Sequence, residues 1–418
     1  MACMYRVLCL LFLLLPAAQA LANSQSVYNT YKNRLVQIRI IDTESNAKST
    51  LGSGFFVTAD GLIVTNYHVV SRLVQRPEQY RAEFIISDGK DPLPAQLLAI
   101  DVVHDLALLR SGLRDTPYLR IRRGKVRKGT RLYSLGNPHD LGMTIVEGTY
   151  NGLIDDSLHR RIHLTGSLNP GMSGGPSIDE AGEVVGVNVA TAGNQIGFLV
   201  PAEYVAQLIE APPAELPSAQ QLLARLSEQL LANQAEVTAT LTANPIPAKQ
   251  LGTYMVPDSL VPGLNCWGDS SNDDDLLYTE TSYTCSSKHS IYISDSLVTG
   301  TIRYGHYYVS ASDIGSTHFY AIMQQYFTNS GERGHREAVT PWECETRFVD
   351  NNGLPMKAAL CLRAYHRIPG LYDLVLSAVS LNQETTALQT DLYLHGFDYD
   401  NITMLARRYL EAITWKKP

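Results

Sequence analysis

Residues 171–176 read GMSGGP and place Ser173 among glycines. Glycine adopts positive φ angles that other residues resist, so such a turn can hold the Ser173 hydroxyl forward and aim the amides of Gly171 and Ser173 at one point. Two converging amides would form an oxyanion hole for acyl transfer. The segment therefore predicts a nucleophilic serine, although similar clusters also occur in ordinary hairpin turns.

A base for this serine is available upstream. His68 lies near the end of the β-branched run LIVTNYHVV at residues 62–70. An imidazole suits proton transfer because its unperturbed pKa is about 6.5. Asp105 precedes the apolar residues LALL and could fix the His68 tautomer, with Asp101 as the rival carboxylate. We favour Asp105; the alternatives are a half-buried structural histidine and an aspartate in a solvated turn.

The chain order His68, Asp105, Ser173 is that of double β-barrel serine proteases. Five short segments in family order resemble the HtrA/DegP family of trypsin-like proteases. They are GSGFFV at 52–57, ADGLIVTN at 59–66, DLALL at 105–109, LGNP at 135–138 and IGFLVP at 196–201. The resemblance covers about residues 28–208 and implies a six-stranded barrel over about 28–110, a second over about 117–208, and an active cleft between them. Short β-rich runs separated by Asp60-Gly61 and Asp88-Gly89 agree with this reading.

The resemblance also assigns roles. Ser173 would attack a peptide carbonyl, His68 would carry the proton, Asp105 would stabilise the imidazolium, and an acyl-enzyme would form. Ser167, six residues before the nucleophile, would lie at the floor of the primary specificity pocket, which predicts cleavage after small or medium aliphatic residues; the alternative is a loop hydroxyl. Asn188, Val189 and Ala190 would form the pocket wall and pair with the substrate backbone.

The first 22 residues have the pattern of a cleavable signal peptide. Arg6 precedes an apolar run from Val7 to Leu15, and Ala18 and Ala20 provide a small-residue cleavage site. No other stretch approaches about 20 apolar residues, so we expect no membrane span in the mature chain and export to a bacterial periplasm or beyond.

The remaining cysteines support an oxidising compartment. Cys266, Cys285, Cys344 and Cys361 all lie in the last third of the chain. Pairing of sequence neighbours, Cys266 with Cys285 and Cys344 with Cys361, would contribute about 3 kcal/mol per bridge. A zinc site is the alternative, but no C-x-x-C knuckle is present.

The chain divides by composition into a protease domain at 23–210, a Pro-rich linker with an amphipathic helix at 211–249, and a C-terminal domain at 250–418. Leucines recur at helical spacing through about Val237, and this helix could pack on either domain or mediate self-association. The C-terminal part has 19 Asp and Glu against 12 Lys and Arg, so it holds the net charge of −7. Predicted strands and a final helix make it an α+β domain without a PDZ pattern. The predicted strands are Lys357–Arg363, Leu371–Leu381 and Leu388–Leu394, and the helix spans about Asn401–Ile413.

The predicted fold is mostly β, and the predicted function is an exported serine endopeptidase acting on unfolded or partner proteins. The alternative is a binding or adhesion protein with an inactive or latent protease fold. We expect no cofactor and no metal; the run at Asn272–Asp275 is read as a solvated turn rather than a cation site. Because the chain as a whole is acidic, we interpret the basic segments Arg120–Arg131 and Leu158–His163 as solvated strand faces rather than a nucleic-acid surface. The sequence does not decide whether the chain forms an oligomer.

Overall fold

The computed structural model describes residues 24–87, 89–154, 157–191, 193–271 and 277–416. The predicted signal peptide, Asp88 of one predicted turn and the run at 272–275 lie outside these residues. Within them, no helix combines the length and the apolar character that crossing a membrane requires.

The first barrel begins after helix α1 (Ser24–Tyr31) and a 3₁₀ turn (Lys32–Arg34). Its elements are β1 (Leu35–Asp42), β2 (Lys48–Phe56), β3 (Leu62–Thr65), α2 (Tyr67–Gln75), β4 (Tyr80–Ile86), β5 (Leu93–Asp101) and β6 (Leu106–Arg110). The six strands close in the order β1-β2-β3-β6-β5-β4. Buried apolar side chains such as Ile38, Phe56 and Phe84 fill the interior. The closed sheet leaves no free edge and holds the ends of β3 and β6 rigidly.

The second barrel follows directly. Its elements are β7 (Arg120–Ile121), β8 (Arg131–Gly136), β9 (Thr144–Leu153), β10 (Ile162–Thr165), β11 (Pro176–Ile178), β12 (Glu183–Thr191), β13 (Ile196–Pro201) and α3 (Ala202–Glu210), with a 3₁₀ turn at Pro138–Asp140. Six strands run in the order β11-β8-β9-β10-β13-β12, and pairing of β11 with β12 closes them, while β7 adds to β12. The predicted pair of six-stranded barrels is therefore confirmed.

Helix α4 (Ala219–Thr242) joins the two halves and extends beyond the predicted end near Val237. Ser218 and Gln221 form a capping box at its start. The buried leucines Leu222, Leu226 and Leu230 share one core with residues of both α2 and the C-terminal domain. Gln229 bonds the backbone of Ile100 in the first barrel at 2.8 Å. The helix thus packs on both domains at once, an arrangement that hydrophobic spacing alone does not predict.

The C-terminal domain contains most of the remaining strands. They are β14 (Ala248–Leu251), β15 (Tyr254–Pro257), β16 (Leu264–Ser271), β17 (Thr279–Ser287), β18 (Ile291–Ser294), β19 (Leu297–Thr299), β20 (Ile302–Ser310), β21 (Glu343–Asn351), β22 (Leu354–Ala364), β23 (Tyr372–Ser380), β24 (Thr386–Phe397) and β25 (Thr414–Trp415), with α5 (Ser316–Tyr326) and α6 (Tyr399–Glu411). A seven-stranded antiparallel sheet has the order β16-β17-β20-β24-β23-β22-β21, and α6 packs against β23 and β24. The predicted α+β character, the three predicted strands and the predicted final helix agree with these elements.

Both predicted disulfides are present, and each fastens an edge strand of this sheet. Cys266 of β16 lies directly opposite Cys285 of β17, and Cys344 of β21 lies opposite Cys361 of β22. The two edge strands are largely exposed, so they bury little apolar surface of their own. The covalent links therefore hold strands that packing holds weakly.

Candidate active site

The turn around Ser173 is built on glycines because neighbouring backbone leaves no room for a Cβ atom. Gly171 has φ +96° and Gly174 has φ +85°, both in the region that favours glycine. A Cβ at Gly171 would lie 2.4 Å from the Asn137 carbonyl oxygen, and one at Gly174 would lie 2.3 Å from the Ser53 carbonyl oxygen. The close approach of β2 at Gly174, and of the residue after β8 at Gly171, thus explains the glycine pattern at this turn.

The peptide between Pro170 and Gly171 is oriented by its carbonyl. The Pro170 oxygen accepts a hydrogen bond from the His139 amide at 3.0 Å, and no peptide bond in the described residues is cis. In a trans peptide the N–H points opposite to the C=O, so the Gly171 amide is directed away from His139. Within the described part of the chain, the amides of Gly171 and Ser173 donate to no protein group. Both donors are free for an oxyanion.

The loop that carries His139 is fastened to the first barrel. Gln37 of β1 donates to the Asp140 carboxylate at 2.6 Å, and Lys48 of β2 forms an ion pair with the same carboxylate. The Ser53 hydroxyl donates to the Gly171 carbonyl at 2.7 Å. The first barrel thereby fixes the turn that belongs to the second.

His68 and Asp105 meet where β3 leads into α2 and where β6 begins. Asp105 Oδ2 lies 2.7 Å from His68 Nδ1, and Asp105 Oδ1 accepts the His68 backbone amide at 2.9 Å. A carboxylate at Nδ1 places the proton there and leaves Nε2 as an acceptor. The rival carboxylate, Asp101, makes the same two bonds with His104, at 2.7 and 3.0 Å. The preference for Asp105 as the partner of His68 therefore agrees with the geometry.

Two opposing effects act on the pKa of His68. Burial alone would lower it, but the charge of Asp105 and its hydrogen bond outweigh burial, so the pKa of His68 is raised above its ordinary 6.5. The nearby Arg161 charge acts in the lowering direction. Asp105 therefore makes the imidazole of His68 more basic, as its role as a proton acceptor requires.

The Ser173 hydroxyl donates to the Val189 carbonyl at 3.3 Å, and within the described residues it makes no hydrogen bond with His68. The register of β12 on β13 shifts between Asn188 and Ala190, so a bulge turns the Val189 carbonyl toward the serine. Proton transfer to His68 requires the hydroxyl to leave the Val189 carbonyl, which a change of the Ser173 side-chain rotamer would allow.

Asn188 differs from its predicted role. Its side chain accepts from Ser177 at 2.8 Å and donates to the carbonyls of Leu135 and Met172 at 3.1 and 3.3 Å. Its own amide and carbonyl bond Gly175 and Gly174. All its polar groups are thus used inside the protein, and Asn188 positions the serine turn rather than contacting a substrate. Of the three residues predicted to form the pocket wall, Val189 and Ala190 are those whose backbone lies at the open edge of β12.

The predicted pocket residue Ser167 is exposed. Its neighbour Leu168 is buried and faces Gly197 of β13, where a Cβ atom at Gly197 would lie 3.0 Å from the Leu168 side chain. The next residue along the chain from the predicted one is thus the apolar side chain facing this strand. An aliphatic leucine there is consistent with small or medium aliphatic residues before the cut, which stays a prediction.

Residues of the C-terminal domain cover part of the cleft, which no local sequence pattern predicts. The ring of Tyr292 lies edge-on to His68 with centroids 6.0 Å apart, and His289 lies edge-on to Phe198 at 5.4 Å. Tyr67 donates to the Ile293 carbonyl at 3.0 Å. These contacts join residues more than 90 positions apart, beyond the reach of local patterns. In the part of the chain that is described, no group of three or more His, Cys, Asp or Glu is placed to hold a metal ion.

Comparison with known proteins agrees with this geometry. The family described as the trypsin-like peptidase domain matches residues 52–187. A probable periplasmic serine endoprotease DegP-like from Brucella suis is 33% identical over 175 residues, covering 38% of this chain and 32% of that protein. One of the same description from Rhizobium meliloti is 35% identical over 175 residues, with the same coverages of 38% and 32%.

A solved serine endoprotease from Yersinia pestis aligns at 24% identity with a TM-score of 0.39, covering 45% of this chain and 66% of that chain. The chain thus spans 32% of the length of the curated relatives that it matches first. Its N-terminal half is similar to the HtrA/DegP proteases and has the trypsin-like double-barrel fold, and the match to the peptidase family ends at residue 187, before the C-terminal domain.

Proposed function

We propose that this chain, whose N-terminal half has an HtrA-like trypsin fold, is a serine endopeptidase that hydrolyses peptide bonds of unfolded or partner proteins. One observation carries the proposal. Asp105 holds the His68 ring by Nδ1 at 2.7 Å while the free amides of Gly171 and Ser173 stand beside the serine hydroxyl.

The residues act in sequence. Ser173 rotates from the Val189 carbonyl toward His68 Nε2, gives up its proton there and attacks the substrate carbonyl carbon. The amides of Gly171 and Ser173 receive the negative oxygen, and loss of one such donor typically costs about 10²–10³ in kcat. His68 returns the proton to the leaving amine, and water then cleaves the acyl-enzyme by the reverse path.

The substrate backbone would add to the open edge of β12. β11 pairs with β12 only as far as Val187, so beyond it this edge has no strand neighbour within the described residues. An extended peptide that pairs with Val189 and Ala190 would place the carbonyl of the bond to be cut next to Ser173. Export through the predicted signal peptide and a periplasmic or secreted location belong to the same proposal, supported by the two disulfides.

Hydrolysis of unfolded casein tests the proposal. The wild-type chain should release peptides, and Ser173→Ala should lose the activity while keeping its melting temperature. Ser45→Ala, which changes a hydroxyl in the turn between β1 and β2, is the matched control and should retain activity. A well-folded wild-type chain that leaves casein intact, or a Ser173→Ala variant that still cleaves it, would reject the proposal.

A second candidate function is that of a binding protein with a latent protease fold. It is favoured by the Ser173 hydroxyl, which bonds the Val189 carbonyl, and by the ring of Tyr292, which lies edge-on to His68. It predicts that wild type and Ser173→Ala bind an unfolded protein equally and that wild type never consumes it. Calorimetric titration followed by product analysis separates the two candidates.

A further inference from the structure

We propose that the cavity beside His68 is a subsite for an acidic side chain of the peptide substrate, and that Arg161 binds its carboxylate. The inference rests on the proposed function, since it names a substrate class for the same cleft. It follows from a buried guanidinium that has no carboxylate partner among the described residues.

Arg161 is only 6% exposed. The one hydrogen bond that its guanidinium makes to a described protein group runs from Nη1 to the Arg160 carbonyl at 3.3 Å, and no described carboxylate oxygen lies within ion-pair distance. A guanidinium offers five N–H donors, and burying its charge without a partner costs free energy. Burial accordingly lowers the pKa of Arg161 from its ordinary value, although the group stays protonated.

The two carboxylates whose charges act on Arg161 are already engaged. Both carboxylate oxygens of Asp105 bond His68, and both carboxylate oxygens of Asp101 bond His104. Their charges attract Arg161 from a distance without forming a salt bridge. The guanidinium is therefore held near the catalytic pair with most of its donors unassigned.

The space in front of Arg161 is a cavity of about 490 Å³. Catalytic residues and residues of the second barrel's strands form one wall of the cavity, and residues of the C-terminal domain form its roof. The lining includes His68, Val189, Phe198, Lys288, His289 and Tyr292. Asp295 also borders the cavity, but its carboxylate is bonded to Arg72 and to the Tyr292 hydroxyl, both at 2.7 Å. Arg161 thus faces the cavity as a cation without a carboxylate partner among the described residues, and Lys288 lies beside it.

His289 adds a neutral polar group to the roof. Burial, followed by the Arg161 and Lys288 charges, lowers its pKa to about 4, so the ring is uncharged at neutral pH. Its Nε2 is buried and has no partner among the described residues. A carboxylate that met Arg161 could therefore also accept from this ring in its Nε2–H tautomer.

The cavity lies on the path of the substrate backbone. Val189 belongs to the open edge of β12, and Phe198 lies opposite Ala190 in the paired strand β13. A peptide extended along this edge would pass the cavity within a few residues of the bond to be cut. Bidentate binding by arginine suits the planar carboxylate of Asp or Glu and favours it over an amide of the same shape.

Peptide binding to the Ser173→Ala protein tests the subsite without turnover. A series of fluorescent peptides carries one Glu at a different position in each peptide. Every Glu peptide has two counterparts with Gln or Lys at the same position, and the affinities are measured by fluorescence anisotropy. At one position Glu should bind about tenfold more tightly than Gln, which corresponds to about 1.4 kcal/mol, and Lys more weakly than Gln. Arg161→Gln should bring the Glu-to-Gln ratio to near one.

Arg160→Gln is the matched control. Arg160 is the preceding residue, but its side chain is exposed and pairs with Glu203, so this variant should keep the preference. If Arg161→Gln does not fold, the three-peptide comparison in the Ser173→Ala background decides alone. Equal affinity of Glu and Gln peptides at every position, or a preference that survives Arg161→Gln, would overturn the subsite. Casein cleavage by the chain with Ser173 intact reports separately on the proposed function.

Discussion

Asp105→Asn is the perturbation whose effect follows most fully from the geometry. Asp105 accepts two hydrogen bonds, from His68 Nδ1 at 2.7 Å and from the His68 backbone amide at 2.9 Å. An asparagine has one acceptor oxygen in place of two. The backbone amide can only donate, so the asparagine oxygen must face it, and the asparagine NH₂ then faces Nδ1. His68 must in response carry its proton on Nε2, where it can no longer accept one from Ser173.

The expected loss is correspondingly large. A wrong tautomer removes general-base catalysis and leaves the oxyanion donors, which by analogy with other triads means a decrease of about 10⁴ in kcat. At 1.36 kcal/mol per factor of ten this is about 5 kcal/mol of transition-state stabilisation. The stability loss should be far smaller, about 1–3 kcal/mol for hydrogen bonds to a charged group.

The assay compares kcat for a fluorogenic peptide and the denaturation midpoint in parallel. Asp101→Asn is the control, because Asp101 makes the same two bonds with His104 only four residues earlier. It should lose similar stability and keep its activity. An Asp105→Asn variant with more than a tenth of wild-type kcat, or one that loses no more activity than Asp101→Asn, would refute the reasoning.

Three further predictions concern pH, the serine turn and helix α4. Because the pKa of His68 is raised, the acidic limb of the kcat/KM profile should lie above pH 6.5. It should move to higher pH in Arg161→Gln, because this variant removes a charge that lowers the pKa of His68. An acidic limb below pH 6.5 in the pH–rate profile would contradict this. Gly174→Ala should cost about 1–3 kcal/mol and most of the activity, since its φ is +85° and its Cβ would meet the Ser53 carbonyl; unchanged urea denaturation and casein cleavage would argue against it. Leu226→Ala should lower the free energy of unfolding by about 2–5 kcal/mol, because this fully buried side chain lies in the core shared by both domains; a loss below about 1 kcal/mol in chemical denaturation would show that the shared core is not stabilising.

The sequence was most informative where chemistry depends on local patterns. The glycines around Ser173, the histidine near the end of an apolar run and the aspartate before another are each readable within ten residues, and chain order relates the three. The disulfides were equally legible, because each joins neighbours in a hairpin-like pair of strands.

Other parts of the site depend on contacts that no local pattern encodes. Asn188 reads like a strand residue beside a substrate, yet the bulge at Val189 turns it inward to hold the serine turn. The covering of the cleft by His289 and Tyr292 depends on how α4 packs two domains together, which is a property of a shared core. Arg161 looked like part of a solvated basic segment, and only its burial distinguishes it from Arg160.

Covalent labelling tests the central claim most directly, that Ser173 is a nucleophile activated by His68 and Asp105. The folded chain is treated with a fluorophosphonate and analysed by intact mass and peptide mapping. The account predicts a single adduct, located on Ser173, that is absent in Ser173→Ala and strongly slowed in His68→Ala. A folded wild-type chain that forms no adduct, or one labelled at the same rate without His68, would contradict it.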